Sequence, residues 1–304
     1  MLRIQVGSAA VRRLWFTPDG GALVARATGD RYVRCPADQP GVTEPVGRTD
    51  AQTLLAVSRD MSLTVGLSPD DSLDDAWELT LRGRDGREFR LAALSPYGAA
   101  AVLAFSPDGQ RLWGRVSPMR AKGGAVVLRC WCTNTGKELI ETTAEAVGED
   151  LVPSPDHRYL FTSPFTLGPP FRPLLFDVVA REWKPMASLP GRPLSAAWSP
   201  NGRILAVGTP SGLAIYDVQS RRRVQVVDGH GGSVPAVAFH PNGQSLFTGG
   251  ENRTIRRWSV GARLASGPAY KWGGGSVWSL AISPDGQLGA AGGASGEVGV
   301  WELG

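Results

Sequence analysis

Few side chains in this sequence have the types and spacing that chemistry requires. Its three histidines, His157, His230 and His240, are scattered, and two of them fall in turn-like segments, Pro155-Asp156-His157 and His240-Pro241-Asn242-Gly243. Acid–base or metal chemistry needs such groups to converge with carboxylates or thiolates, and no metal-spaced cluster, nucleophile elbow or phosphate loop is present. The acids Asp70, Asp71, Asp74 and Asp75 miss the spacing of a calcium loop and read as a solvated acidic segment. Arg221-Arg222-Arg223 has the charge to touch phosphate, but at a turn into a strand it reads as a solvated cluster. The three cysteines, Cys35, Cys130 and Cys132, form no paired framework. Cys130 and Cys132 share one face of an expected strand and read as buried thiols. No catalytic residue, metal or cofactor is therefore expected.

What the chain has in abundance is turn chemistry, and turns imply the elements between them. With 39 Gly and 23 Pro but no low-complexity tract, the sequence predicts many short strands joined tightly. One pentad recurs: an apolar residue, Ser or Thr, Pro, Asp or Asn, then Gly. It stands as Phe16-Thr17-Pro18-Asp19-Gly20, Phe105-Ser106-Pro107-Asp108-Gly109, Trp198-Ser199-Pro200-Asn201-Gly202, Phe239-His240-Pro241-Asn242-Gly243 and Ile282-Ser283-Pro284-Asp285-Gly286. Two worn copies, Val57-Ser58-Arg59-Asp60-Met61 and Pro153-Ser154-Pro155-Asp156-His157, complete the series. The proline positions are 18, 59, 107, 155, 200, 241 and 284, with steps of 41, 48, 48, 45, 41 and 43 residues. That period fits four strands per repeat. Leu67-Ser68-Pro69-Asp70 is a decoy, because adopting it breaks the spacing. Pro presets φ for the first corner of a type I turn, Asp or Asn suits the second, and Gly accepts the left-handed position that closes it.

Strands after each anchor end on an aromatic residue with a polar or acidic neighbour: Phe176-Asp177, Tyr216-Asp217, Trp258-Ser259, Trp301-Glu302 and, loosely, Trp131-Cys132. A Gly-His pair survives at Gly229-His230. In these features the whole chain resembles the WD-repeat family of β-propellers. The resemblance implies an all-β, seven-bladed propeller of four-stranded antiparallel blades, as a single domain over 1–304. It implies that His230, Thr248, Asn252 and Trp258 form the family's structural hydrogen-bonded tetrad, with Asn in place of Asp. The last repeat reaches only its third strand at Val300-Trp301-Glu302, so Leu2–Val6 is expected to close that blade.

In such a propeller the residue six before each anchor proline falls near one mouth of the central channel: Arg12, Thr53, Ala101, Glu149, Leu194, Pro235 and Trp278. The resemblance implies partner contact there, with Arg12 and Trp278 favoured because Arg and Trp dominate interface hot spots; Glu149 is the one carboxylate of the set. Loops between second and third strands share that face. They are short in repeats 1, 5, 6 and 7 and long in repeats 2 to 4, at about 68–76, 117–125 and 163–172. These loops carry Met119, Arg120, Lys122, Phe165, Phe171 and Arg172, a basic and apolar mixture suited to protein contact. Phe89, Tyr97 and Trp183 are expected between blades.

The expected function is a non-catalytic protein–protein interaction scaffold, with proteins or peptides as partners, monomeric alone, and cytoplasmic, since no apolar run spans a membrane. A propeller enzyme of hydrolase or lactonase type is the alternative, as is weak nucleic-acid binding through the Arg clusters. The net charge of +4 is small and scattered for the latter.

Overall fold

The computed structural model describes residues 2–28, 31–39, 41–46, 53–69, 76–94, 102–116, 127–143, 148, 150–163, 168–228 and 230–303. These contain 28 strands in seven four-stranded antiparallel sheets, the blades of a seven-bladed β-propeller, and no helix among the described residues. Blade 1 runs β2 (Val11–Phe16), β3 (Ala22–Ala27), β4 (Arg31–Pro36) and β5 (Glu44–Val46). Blade 2 runs β6 (Thr53–Val57), β7 (Leu63–Pro69), β8 (Trp77–Gly83) and β9 (Glu88–Leu94). Blade 3 runs β10 (Val102–Phe105), β11 (Arg111–Val116), β12 (Val127–Cys132) and β13 (Glu138–Thr143). Blade 4 runs β14 (Val152–Pro153), β15 (Tyr159–Thr162), β16 (Leu174–Asp177) and β17 (Glu182–Pro185). Blade 5 runs β18 (Ser195–Trp198), β19 (Ile204–Thr209), β20 (Gly212–Asp217) and β21 (Arg222–Val227). Blade 6 runs β22 (Ala236–Phe239), β23 (Ser245–Gly249), β24 (Thr254–Val260) and β25 (Leu264–Lys271). Blade 7 runs β26 (Val277–Ile282), β27 (Leu288–Gly293) and β28 (Glu297–Glu302), and its fourth strand is β1 (Leu2–Gln5).

The chain forms two compact units: Met1–Val46 with Gly168–Pro173 and Lys184–Gly304, and Gly47–Leu167 with Leu174–Trp183. In the first, the faces of successive blades pack on one another. Ala206, Leu213 and Ile215 of blade 5 meet Leu246 and Trp258 of blade 6. Phe247 and Ile255 meet Val277, Leu280 and Ala291 of blade 7. Ile4, Ala281, Ala290 and Val298 of blade 7 meet Val11, Leu14, Phe16 and Leu23 of blade 1. In the second unit, Val65, Leu79 and Leu81 pack on Leu112 and Trp131, and Trp113 and Leu128 pack on Leu160 and Phe176. Phe89 and Trp183 join these two cores, as expected; Tyr97 lies outside the described residues. A blade covered on both faces needs apolar side chains on both. The middle strands Ile204–Thr209 and Gly212–Asp217 are accordingly almost wholly buried, whereas the outer strand Arg222–Val227 is mostly exposed.

The anchor turn is the same device in all seven repeats. Gly20, Gly109, Gly202, Gly243 and Gly286 sit at φ between 69° and 75°, and Met61 and His157, the residues of the worn copies, sit at 59°. Each donates its backbone N–H to the residue three before it, at 2.9 Å for Gly109 on Ser106 and 3.1 Å for His157 on Ser154. The anchor serine donates its hydroxyl to the turn carboxylate, at 2.5 Å from Ser106 to Asp108, Ser154 to Asp156 and Ser283 to Asp285. The bond from Ser283 holds the Asp285 carboxyl below its ordinary value.

The closing strand is as expected. β1 pairs antiparallel with β28, with Ile4 opposite Val298 and Leu2 opposite Val300. Ile4 is buried, Val6 N–H donates to the Gly296 carbonyl at 3.0 Å, and Arg3 lies 3.5 Å from Glu297. One expectation is corrected: Cys130 is buried, but Cys132 at the end of β12 is only half-buried. Burial pushes the Cys130 thiol up to about 12, whereas the Thr135 side chain holds Cys132 below its ordinary value.

Candidate functional site

Two clusters of polar side chains stand out, both in the first unit. The first is in blade 6. Trp258 Nε1–H donates to Thr248 Oγ1 at 2.7 Å, and Thr248 Oγ1 lies 2.5 Å from His230 Nε2. Thr254 gives its own proton to Asn252 Oδ1 and so accepts at His230 Nδ1, which assigns the imidazole proton to Nδ1 and makes the Thr248 hydroxyl the donor to Nε2. Nδ1 faces Thr254 Oγ1 at 3.4 Å, and Thr254 donates to Asn252 Oδ1 at 2.7 Å. Asn252 Nδ2 then donates to the His230 carbonyl at 2.5 Å. The four expected residues are joined: a side-chain hydrogen bond with Asn252 opposes the lowering of the His230 pKa, the Asn252 NH2 is turned to the His230 carbonyl, and Thr254 also faces Nδ1. Thr254 was not singled out by the sequence. Burial, with Arg256 nearby, lowers the His230 pKa to about 4, so the ring is neutral at pH 7. A neutral, buried imidazole with its ring nitrogens engaged is a brace, not an acid–base catalyst.

The other histidines are also engaged. His240 Nε2 lies 3.0 Å from the Gly286 carbonyl, linking the anchors of blades 6 and 7. In the second unit, His157 Nε2 lies 3.5 Å from Asp108 Oδ2, linking the anchors of blades 3 and 4. Of the arginine run, Arg223 is committed to the Ser188 carbonyl, so the cluster is only partly a free solvated one. Beside it, the buried Tyr216 donates its hydroxyl to the Ala187 carbonyl at 2.9 Å.

The second cluster is the seam between blades 7 and 1. Arg12 and Trp278, equivalent by spacing, are brought together: the Arg12 guanidinium carbon lies 3.9 Å from the centroid of the Trp278 ring. Each is the extra residue of a β-bulge. The ladder steps from Val11↔Ala27 to Arg13↔Arg26, and from Val277↔Gly293 to Ser279↔Gly292. A bulge takes one residue out of the alternation and re-aims its side chain. The Ser279 hydroxyl donates to the Val11 carbonyl at 3.1 Å across the seam. Gly292 permits this approach, since a Cβ there would stand 2.4 Å from Ser279 Oγ and 2.6 Å from Val11 Cγ1. Arg12 is exposed and has no carboxylate partner among the described residues. Trp278 is half-buried, and its Nε1–H is shielded from solvent with no acceptor among them. Neither the bulges nor the stack has a signal in one sequence beyond the equal spacing of the two residues.

The remaining expected contact residues are less informative. Leu194 and Pro235 fall just before β18 and β22, where no such bulge occurs. Phe171 is half-buried and pairs with Leu189, whose N–H donates to its carbonyl at 2.7 Å, and Arg172 is exposed. Glu149, Met119, Arg120, Lys122, Phe165, Ala101 and the acids Asp70, Asp71, Asp74 and Asp75 lie outside the described residues, as does the Thr53 side chain. The strands bounding the long loops end and resume at Pro69 and Trp77, Val116 and Val127, and Thr162 and Leu174. Among the described residues no group of three or more His, Cys, Asp or Glu is placed to hold a metal, and no helix is long and apolar enough to cross a membrane.

Comparison with known proteins places this geometry in a family. The model of the WD domain, G-beta repeat, matches residues 221–259 and 268–302, which cover most of blade 6 and of blade 7. The chain is 40% identical over 67 residues to pre-mRNA-processing factor 19 homolog 2 of Arabidopsis thaliana, covering 22% of this chain and 13% of that protein. It is 30% identical over 86 residues to protein HIR1 of Mycosarcoma maydis, covering 27% and 8%. It is 33% identical over 75 residues to human pre-mRNA-processing factor 19, covering 24% and 15%. The chain thus matches only a small part of the length of these relatives. Residues 221–259 and 268–302 thus match WD repeats, and the same anchor turn recurs in all seven blades.

Proposed function

We propose that the chain, as one propeller domain over 1–304, is a non-catalytic scaffold for protein–protein interaction. Its contact surfaces are the channel-mouth residues, led by Arg12 and Trp278, and the long loops of blades 2 to 4. The observation that carries this reading is the seam itself. The exposed Arg12 guanidinium is stacked on the half-buried Trp278 between two bulges and has no carboxylate partner among the described residues, while His230, Thr248 and Trp258 of blade 6 are paired with one another. Arg and Trp are the side chains that most often anchor protein interfaces. One similar protein, the U5 small nuclear ribonucleoprotein 40 kDa protein of Pongo abelii, is by its name part of an assembly, which fits this reading. The partners are proteins or peptides rather than nucleic acid or membrane, and the chain is monomeric alone and cytoplasmic.

The test is affinity capture from the native lysate. Wild type is compared with a variant carrying Arg12→Ala and Trp278→Ala and shortened loops at 117–125 and 163–172. Loss of a specific protein from the captured set supports the scaffold and its surfaces. Identical captured sets contradict the assignment.

A further inference from the structure

The net charge that reads as scattered along the sequence is concentrated in one blade. Residues 184–228, which hold blade 5 and its approach, carry Lys184, Arg192, Arg203, Arg221, Arg222 and Arg223 against Asp217 and Asp228. Their balance of +4 equals that of the whole chain, so the remainder is neutral. The register gathers three of the cations at the anchor-turn end of the blade. Ile204, Asp217 and Arg222 lie side by side across β19, β20 and β21, with Arg203 and Arg221 one residue further out. Two strand spacings are about 10 Å, so these charges act together. Arg203, Arg221 and Arg222 are exposed and make no ion pair among the described residues. Asp217 stands opposite Arg222, but its Oδ1 accepts the Ser220 N–H at 2.8 Å and the Ser220 hydroxyl at 2.5 Å. Other outer strands are finished differently. Glu44 of β5 pairs with Arg34, Glu88 of β9 with Arg82, and Glu138 and Glu141 of β13 with Arg129. In those blades the outer strand brings the acid; β21 brings arginines and no acid. Beside the cations, Val224 and Val226 are 50% and 46% exposed. Val224 is the extra residue of a bulge, between Arg223 opposite Tyr216 and Gln225 opposite Ile215. A bulged edge resists the addition of a further strand, so what the surface offers is side chains. Guanidinium forks match carboxylates, and the valines suit an apolar side chain better than a sugar–phosphate backbone, whose contacts are mostly to phosphate.

We propose that the outer edge of blade 5 is a second docking surface, taken by an acidic protein segment whose Asp or Glu side chains flank an apolar residue. Arg203, Arg221 and Arg222 pair with the carboxylates, and Val224 and Val226 cover the apolar side chain. The proposal rests on the reading of the chain as a protein scaffold, but on none of the contact residues which that reading uses.

The test measures the fluorescence anisotropy of labelled probes against the full chain at one fixed salt concentration. The probe is the blocked peptide Gly-Glu-Glu-Val-Glu-Glu-Leu-Gly, with a Gln-for-Glu version and a short single-stranded DNA as the other arms. The Glu peptide is expected to bind saturably, and the Gln peptide and the DNA more weakly. Arg203→Glu with Arg222→Glu should weaken the Glu peptide about tenfold or more. Val224→Ser with Val226→Ser should weaken it about threefold. Arg84→Glu, the same charge change in the corresponding turn of blade 2, should weaken it less than about twofold. All these side chains but Arg84 lie on the proposed surface, and all are exposed, so the variants are expected to fold as the wild type does. No saturable binding, equal binding of the Gln peptide, equal weakening by Arg84→Glu, an unaffected valine variant, or tighter binding of the DNA would each overturn the proposal. If the Glu peptide behaves as expected while Arg12→Ala with Trp278→Ala loses no captured protein, the blade 5 surface stands and the channel-mouth assignment falls. If the Glu peptide fails while those substitutions do lose a captured protein, the channel mouth stands and the blade 5 surface falls.

Discussion

Blade 6 and the seam of blades 7 and 1 each place a tryptophan beside a basic side chain, and the two are finished differently. Trp258 is buried with its N–H on Thr248 and a histidine beyond it, every step satisfied within the protein. Trp278 is half-buried, stacked under Arg12, and its N–H has no acceptor among the described residues. A buried polar group without a partner costs about 1–3 kcal/mol. Internal pairing uses donors for stability, whereas the exposed Arg12 guanidinium, without a carboxylate partner among the described residues, is open to something outside.

If this contrast is right, perturbing the closed parts should unfold the protein and perturbing the seam should not. The largest effect is expected from deleting residues 1–6. This uncovers the β28 edge, removes buried Ile4 and breaks the β1 ladder, a loss on the order of 5 kcal/mol. A thermal melt lower by many degrees is the expected outcome, and an unchanged melt would refute the closing role of β1. Next, Thr248→Val leaves both Trp258 Nε1 and His230 Nε2 without partners and should cost about 3–4 kcal/mol in denaturant unfolding.

Acid should attack the same brace. His230 titrates near its ordinary value of 6.5 when unfolded and at about 4 when folded. Between those values the unfolded chain binds more protons, so stability falls as pH drops from about 6.5 to about 4, by up to about 3 kcal/mol. Denaturant midpoints from pH 7.5 to 4.5 should therefore fall more steeply for wild type than for His230→Gln. Equal slopes would place the acid sensitivity elsewhere. Smaller again are the anchors. Gly243→Ala adds left-handed strain of about 1 kcal/mol, while Gly286→Ala also drives a Cβ to 2.6 Å from the His240 ring and should cost about 2 kcal/mol. Arg12→Ala, at an exposed stack, should shift unfolding by less than about 0.5 kcal/mol.

The anchors were legible in the sequence because proline and glycine constrain φ locally. The two worn copies, led by Ser58 and Ser154, keep the turn without glycine, since Met61 and His157 accept the same left-handed position. The blade 6 brace was legible in its four members, but Thr254, which donates to Asn252 Oδ1 and faces His230 Nδ1, was not. The seam was legible only as two residues at equal spacing. Their stacking depends on bulges in two strands from opposite ends of the chain, and on Gly292 letting those strands approach. These are properties of neighbouring blades together, which no local pattern within one repeat carries.

The division between brace and contact surface is tested most directly by hydrogen–deuterium exchange of the full chain, alone and bound to its captured protein. New protection is expected at residues 11–13 and 277–279, with 245–260 of blade 6 already protected and unchanged. Protection gained in blade 6 with none at the seam would contradict it.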